Sequence, residues 1–254
     1  MLDDIKYIAK EAGKIIRDGF GKNFSYEYKT NTSNIVTEID KKSEDLIKEF
    51  IFNNYSTHSI LAEESGETNN NSEYVWIIDP LDGTTNFAHG LPIFSVSIGV
   101  QLNNKTIAGV VYDVMFDNLY SAELNCGSFC NDVKMRVSNQ DKIPLSLAVT
   151  GFPYNVSENP ENAFELFEKL TRQSRGVRRL GSAAIDFCYV ARGVFDYFWE
   201  VSLNPWDVCA GQLIVEEAGG MVTDFKGNET MKTSNTILCS NSILHQQLLN
   251  ELKL

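Results

Sequence analysis

The stretch WIIDPLDGTTNF, residues 76–87, decides how the chain is read. With Val75 it begins as a short apolar run of the kind that forms a buried strand. Asp79 and Asp82 stand at the end of that run, and Pro80 between them removes a ladder donor and ends regular pairing. A strand end delivers its side chains to the crevice outside a sheet. Carboxylates there are hard oxygen ligands, which select magnesium or manganese over softer metals. Gly83 lets the backbone approach a ligand closely, and Thr84 and Thr85 can begin a helix whose first amides face a phosphate. A polar turn after a strand has the same composition, so the acidic positions elsewhere must decide.

Three other acidic spots bear on the choice. IVTEID (35–40) ends in Asp40, LAEES (61–65) carries Glu63 and Glu64, and NPWDVCAG (204–211) puts Asp207 at a helix start beside Trp206. A two-metal site takes about four to six protein oxygens around ions ~3.5–4 Å apart, and one segment rarely supplies them all. Taken singly, Asp207 reads equally as a helix cap, and Glu64 as a surface charge or a group supporting a ligand.

Outward from this stretch the periodicities alternate. Leu2, Ile5, Ile8, Ala9, Ala12, Ile15 and Ile16 recur at helical steps, and Gly19 and Gly21 stop that helix. Residues 41–54 repeat the pattern, and 66–73 (GETNNNSE) read as a polar loop. Phe94, Val96, Ile98, Val100 and Leu102 alternate as a half-buried strand, Asn103-Asn104 turns, and TIAGVVYD returns as its hairpin partner. Residues 119–123 and 133–137 read as further strands of that sheet. Beyond them come a strand (SLAVTG), an amphipathic helix (160–173) and a buried helix (181–193). FDYFWE is a strand, WDVCAGQLIVEEAGG a helix closed by Gly219-Gly220, and MVTDF and TILCS are strands. A last helix over 242–252 takes Ser240 or Asn241 as its cap. The expected fold is layered α+β or α/β, with helices covering two sheets. It is expected as one domain over 1–254, with a division near 140–150 allowed by the pattern.

Bulk properties narrow the function. The 254 residues are 43% hydrophobic and 22% charged, a globular composition, and the formal net charge is −12. Such a surface repels nucleic acid and anionic lipid, so neither is expected as a partner. An acidic tally does not exclude an anionic substrate, because carboxylates that hold cations make a positive site. The five cysteines (Cys126, Cys130, Cys188, Cys209, Cys239) form no CxxC pair and read as reduced thiols of a cytoplasmic protein. The start MLDDIKYIAKEAGKII has no signal-peptide core, and no stretch approaches the ~20 apolar residues of a membrane span. His58, His89 and His245 are too dispersed to suggest a triad.

WIIDPLDGTTNFAHGLPIFSVSIG closely resembles the signature of the inositol monophosphatase family, and NPWDVCAGQLIVEEAGG its second signature. IVTEID, LAEES and RLGSAA resemble further elements in the expected order, so the resemblance spans nearly the whole chain. It implies the alternating α-β-α-β-α sandwich of sugar phosphatases and a hydrolase that uses two or three magnesium ions, or manganese. It implies that Glu63, Asp79 and the Leu81 carbonyl bind a first ion, and that Asp79, Asp82 and Asp207 bind a second. Thr84 with Glu63 would activate the attacking water, Asp40 would polarise Thr84, and the Gly83 and Thr84 amides would hold the phosphate. Ala183 and Glu200, with Asp207, would face the substrate, no phosphoenzyme would form, and lithium would inhibit. A homodimer is the expected assembly.

Thr85-Asn86 follows DGT where the adenosine bisphosphate branch carries Lys-Glu, so the inositol monophosphatase branch is favoured. Fructose 1,6-bisphosphate and histidinol phosphate remain alternative substrates. FPYNVSENP (152–160) departs from the animal enzymes, and no substrate contact is assigned there. The bacterial extragenic suppressor relatives join this fold to a role in transcription complexes. Arg175, Arg178 and Arg179 of SRGVRRLG form a basic patch open to an acidic partner, to a second subunit, to the substrate or to solvent alone.

Overall fold

Two helices cover the outer face of the first sheet in the computed structural model, which describes residues 1–29, 31–32, 34–229 and 235–253. Helix α1 (Leu2–Gly19) buries Ile5, Ile8, Ala9, Ala12 and Ile16 along one face. Between it and the next helix lies a small ribbon of β1 (Tyr26–Tyr28) and β2 (Ile35–Thr37). Helix α2 (Glu38–Asn54) begins three residues before the apolar pattern does, because Thr37 caps it. The Thr37 hydroxyl accepts from the Ile39 and Asp40 amides, and Asp40 Oδ2 accepts from the Thr37 amide at 2.9 Å. This reciprocal box fixes Asp40 in the first turn.

The first sheet has eight strands in the order β10-β9-β8-β7-β6-β5-β3-β4. They are β3 (Ser59–Ala62), β4 (Gly66–Thr68), β5 (Tyr74–Asp82), β6 (Ser95–Leu102), β7 (Lys105–Asp113), β8 (Asn118–Glu123), β9 (Gly127–Cys130) and β10 (Val133–Lys134). Val96, Ile98 and Val100 of β6 join the α1/α2 core. Ser95, Ser97 and Gly99 point the other way, as the period of two requires. There Gly99 lies opposite Gly109 of β7, and the two glycines let a helix come close. A Cβ at Gly99 would lie 2.4 Å from Cys209 Sγ, and one at Gly109 would lie 3.0 Å from Ala210 Cα.

That helix is α6 (Pro205–Glu217), which with α5 (Ala183–Ala191) fills the layer between the sheets. The second sheet runs β12-β11-β13-β15-β14. Its strands are β11 (Leu147–Thr150), β12 (Gly176–Arg178), β13 (Tyr197–Val201), β14 (Gly220–Thr223) and β15 (Thr236–Asn241). Helices α4 (Ala163–Gln173) and α7 (His245–Glu251) close the far face, packing Leu166, Leu170 and Leu248 on Tyr197, Trp199 and Leu238. The order of layers is therefore α-β-α-β-α.

Several local expectations are corrected. Gly66–Thr68, expected as loop, pairs as β4 with β3, and β9 and β12 carry no periodic signal because they are three or four residues long. Of 133–137 only Val133–Lys134 pairs. The helix expected from 160 starts at Ala163, because Asn159, Glu161 and Asn162 adopt positive φ. The last helix starts at His245 rather than 242. Asn241 Oδ1 accepts from the Leu244 amide at 2.9 Å and holds the turn before it, while Ser240 Oγ bonds His245 Nδ1 at 2.8 Å.

Candidate active site

Asp79 and Asp82 are three residues apart, a spacing that in a regular strand would place them on opposite faces. The pairing is not regular. Asp79 lies opposite Ser97 and Asp82 opposite Ser95, so three steps on β5 match two on β6. The extra residue at Pro80-Leu81 is a bulge, and it turns both carboxylates to the face that α5 and α6 cover. Asp207, in the first turn of α6, reaches the same place. Oxygens of Asp79, Asp82 and Asp207 lie within 4.8 Å of one another, the one such acidic group among the described residues.

Each member is held. Asp82 Oδ2 accepts from Ser182 Oγ at 2.6 Å and from the Ala184 amide at 2.9 Å, so it sits at the start of α5. Asp207 Oδ2 accepts from the Asn204 amide at 2.7 Å, closing a capping box, so Asp207 both caps α6 and joins the acidic group. Asp79 Oδ1 accepts from the Leu81 amide at 3.0 Å. Burial and the neighbouring negative charges push the Asp79 and Asp207 carboxyls well above the usual range. Burial pushes Asp82 up to about 6 against the bonds from Ser182 and Ala184.

Thr84 begins the short helix α3 (Thr84–Ala88). Its hydroxyl lies 2.8 Å from Asp40 Oδ1 and 3.0 Å from the Leu81 carbonyl. Asp40 is fully buried behind it, and burial raises its carboxyl while donors from Thr37 and Thr84 oppose that. Gly83 has φ 95°, and a Cβ there would meet the Ile93 and Gly181 carbonyls at 3.0 and 3.2 Å. Asn86 fastens the same segment to the second half of the chain, donating to the Ile93 and Leu180 carbonyls at 2.8 Å.

Glu63 follows β3 and stands beside this group rather than inside it. Lys29 Nζ donates to Glu63 Oε1 at 2.8 Å and to Glu64 Oε1 at 2.7 Å. Glu64 is no free surface charge, since burial and Glu63 push it up to about 7. Asp79, Asp82, Asp207, Glu63, Gly83, Thr84 and Asn86 line a cleft of about 790 Å³, with Ala183 and Glu200 also in its wall. Glu200 reaches it from β13 over Gly151, where a Cβ would lie 2.2 Å from Oε1.

Sequence reasoning gave no role to Ser182, Lys29, Asn86 or Asp186. Ser182 stands in a quoted motif, and Asp186 is the one charge in an apolar helix, so both carried a signal. Asn86 marked the branch but not this contact, and Lys29, which acts across a long sequence separation, carried none. The arginine patch divides: Arg175 and Arg178 are exposed at the edge strand β12, while Arg179 turns to the cleft, 5.5 Å over the Phe152 ring. His58 accepts from Trp76 Nε1 at 3.0 Å, His245 at the start of α7 is buried against Thr223 and Ser240, and His89 lies at the cleft, so the three do not meet.

Residues 2–253 match the sequence profile of the inositol monophosphatase family. A chloroplastic phosphatase of Arabidopsis thaliana, IMPL1, is 41% identical over 99% of this chain and 70% of its own length. The Nus factor SuhB of Pasteurella multocida is 39% identical over 96% of this chain and 92% of its own. The solved structure of an inositol monophosphatase from Anabaena superposes with a TM-score of 0.90 at 40% identity, covering 99% of this chain and 94% of that one. No described helix is long and apolar enough to cross a membrane.

Proposed function

The chain belongs to the inositol monophosphatase family, and from that premise we propose that it hydrolyses an inositol monophosphate or similar polyol phosphate with magnesium and water. The observation that carries this reading is the meeting of Asp79, Asp82 and Asp207 within 4.8 Å. Buried like charges held this close ask for a cation, and an all-oxygen donor set fits magnesium or manganese. Two or three ions would be held by Glu63, Asp79 and the Leu81 carbonyl, and by Asp79, Asp82 and Asp207, with Asp79 shared. Glu63 Oε1 accepts from Lys29 Nζ, and the Leu81 carbonyl lies 3.0 Å from the Thr84 hydroxyl, so each keeps a lone pair or a second oxygen for an ion. When bound, such cations screen phosphoryl charge and make water nucleophilic at neutral pH.

The protein's own groups do the rest. Asp40 takes the Thr84 hydroxyl proton as a hydrogen bond, leaving the Thr84 oxygen to accept from the attacking water. Glu63 receives the proton that the water gives up. The Gly83 and Thr84 amides hold the phosphate, and Ala183 and Glu200 face the alcohol. A bond forms from water oxygen to phosphorus as the bond from phosphorus to the ester oxygen breaks; the leaving oxygen takes a proton from solvent water, to which Glu63 returns its own. Water is the nucleophile, so no serine or cysteine nucleophile and no phosphoenzyme is needed. A cytoplasmic, lithium-sensitive homodimer completes the reading.

The test is phosphate release from myo-inositol 1-phosphate, fructose 1,6-bisphosphate, histidinol phosphate and adenosine 3′,5′-bisphosphate, each with magnesium and with chelator. Turnover that needs magnesium and is fastest on the inositol ester is expected; none on any of them overturns the reading. The name of the Pasteurella relative favours a second role, as a partner in a transcription complex. Its contact surface would be the exposed Arg175 and Arg178 at the sheet edge. Reversing those charges should abolish capture by the transcription machinery and leave phosphate release intact.

A further inference from the structure

Helix α5 reads AAIDFCYVA, apolar but for Asp186, which is 1% exposed. Its Oδ1 is buried with no hydrogen-bond partner among the described residues. An unmet buried oxygen is costly, so its presence in a packed helix asks for a partner that the chain alone does not provide. Asp186 also belongs to the cleft wall. It lies three residues after Ala183, on the same helical face one turn further in.

The neighbouring group is Glu200, from a different element. It is 8% exposed, and its carboxylate occupies the space that a side chain at Gly151 would fill. Glu200 and Asp82 are the charges that act on Asp186, and with burial they push its carboxyl well up. Glu200 too is pushed well up, by burial, Asp207 and Asp82, with Arg179 opposing. Two like carboxyls desolvated together do not both ionise. At least one of the two is therefore a carboxylic acid, and both line the same cleft.

We propose that Asp186 determines specificity, pairing with Glu200 as a donor–acceptor subsite for a hydroxyl of the leaving alcohol. This rests on the phosphatase reading above and narrows it. A hydroxyl both donates and accepts, so it can accept from the carboxylic acid of this pair and donate to the other carboxyl at once. An ammonium only donates, so it would leave the acid's O–H without an acceptor, and the Arg179 charge acting on Glu200 would oppose it. The subsite thus selects an uncharged polyhydroxy alcohol over a cationic amino alcohol.

The experiment compares the unchanged protein with Asp186→Ala, Asp186→Asn and Glu200→Gln, in magnesium. Substrates are myo-inositol 1-phosphate, histidinol phosphate and 4-nitrophenyl phosphate, whose leaving group has no aliphatic hydroxyl. In Asp186→Ala, kcat/KM on the inositol ester should fall about 10–100-fold more than on the aryl ester, mainly through KM. Asp186→Asn, which still donates, should lose less. Glu200→Gln combined with Asp186→Ala should cost less than the two losses multiplied, since they serve one hydroxyl. The unchanged protein should prefer the inositol ester to histidinol phosphate. The ratio of rates on two substrates is the same whatever fraction of a variant is folded. Parallel losses on inositol and aryl esters, or no loss on the inositol ester, would overturn the subsite. Failure of the unchanged protein on all three esters is a different result: it removes the phosphatase reading, and the subsite with it.

Discussion

Replacing Gly99 by alanine tests whether the closeness of α6 to the first sheet sets the position of Asp207. A Cβ at residue 99 would stand 2.4 Å from Cys209 Sγ, where ordinary contact begins at 3.4 Å, so at least 1.0 Å must be found. Cys209 lies two residues beyond Asp207 in α6, and Ser97 Oγ donates to the Trp206 carbonyl at 3.3 Å, so displacement at the clash reaches the acidic group. Overpacking of this size costs about 1–3 kcal/mol of stability. A misplacement of about 1 Å in a catalytic group costs roughly 100-fold in rate. The activity loss should therefore exceed what the unfolded fraction explains. Cys209→Ala removes the clashing sulfur and leaves Cys209 Cβ at 3.1 Å, only 0.3 Å short of ordinary contact. The double variant should recover most of the lost kcat/KM and unfolding temperature. The assay is magnesium-dependent phosphate release beside thermal unfolding, on both singles and the double. A fully active Gly99→Ala, or a double variant no better than the single, would refute the argument that these glycines set Asp207.

Asp82→Asn keeps the acceptor oxygen for Ser182 and Ala184 but removes a buried charge, so magnesium-dependent turnover should fall roughly 10²–10³-fold or more. Its unfolding temperature in chelator should match or exceed that of the unchanged protein; wild-type rates would sink the metal assignment. Asp82 titrates at about 6 when folded against 3.8 for the free group, so its stabilisation is full below pH 3.8 and gone above 6. Chelated protein should lose about 3 kcal/mol from this group over that window, and magnesium should raise the unfolding temperature at pH 7.5 but not at pH 4. A magnesium effect equal at both would count against it. His245 is pushed the other way, from 6.5 down to about 4 by burial, between Thr223 Oγ1 and Ser240 Oγ. Its contribution is full above pH 6.5 and lost as pH falls to 4, up to about 3 kcal/mol. The difference in urea stability between pH 7.5 and 4.5 should shrink in His245→Gln by that amount, and an unchanged difference would refute it.

The layers were legible because their signals are long. The helical period of α1 and the strict alternation of β6 each extend over eight residues or more, and each side of the pattern finds its own core. The short strands β9 and β12 are made by pairing with neighbours, which no local window contains. At the site, WIIDPLDG pointed to two carboxylates at a strand end, but the bulge that turns both to one face depends on the register against Ser95 and Ser97. The choice between cap and ligand at Asp207 was open in the sequence because the residue caps its helix and also joins the acidic group.

That double use recurs and explains how the site holds together before any cation arrives. Asp40 closes the capping box of α2, Asp82 accepts from the first turn of α5, Asp207 closes the box of α6, and Gly83 precedes α3. Four helix N-termini therefore come together around one cleft, and each brings first-turn amides free of intrahelical partners and the positive end of its dipole. Bonds from these amides favour the charged carboxylates, while burial and mutual repulsion oppose it. The balance leaves Asp79, which has only the Leu81 amide as a local donor, with its carboxyl pushed well up by four opposing influences: burial, Glu63, Asp82 and Asp207. Asp79 is also the residue assigned to both ions. The fold thus supplies partial positive charge where a helix start reaches a carboxylate, yet Asp79 and Asp207 both stay pushed well up, so the cleft as a whole calls for a cation.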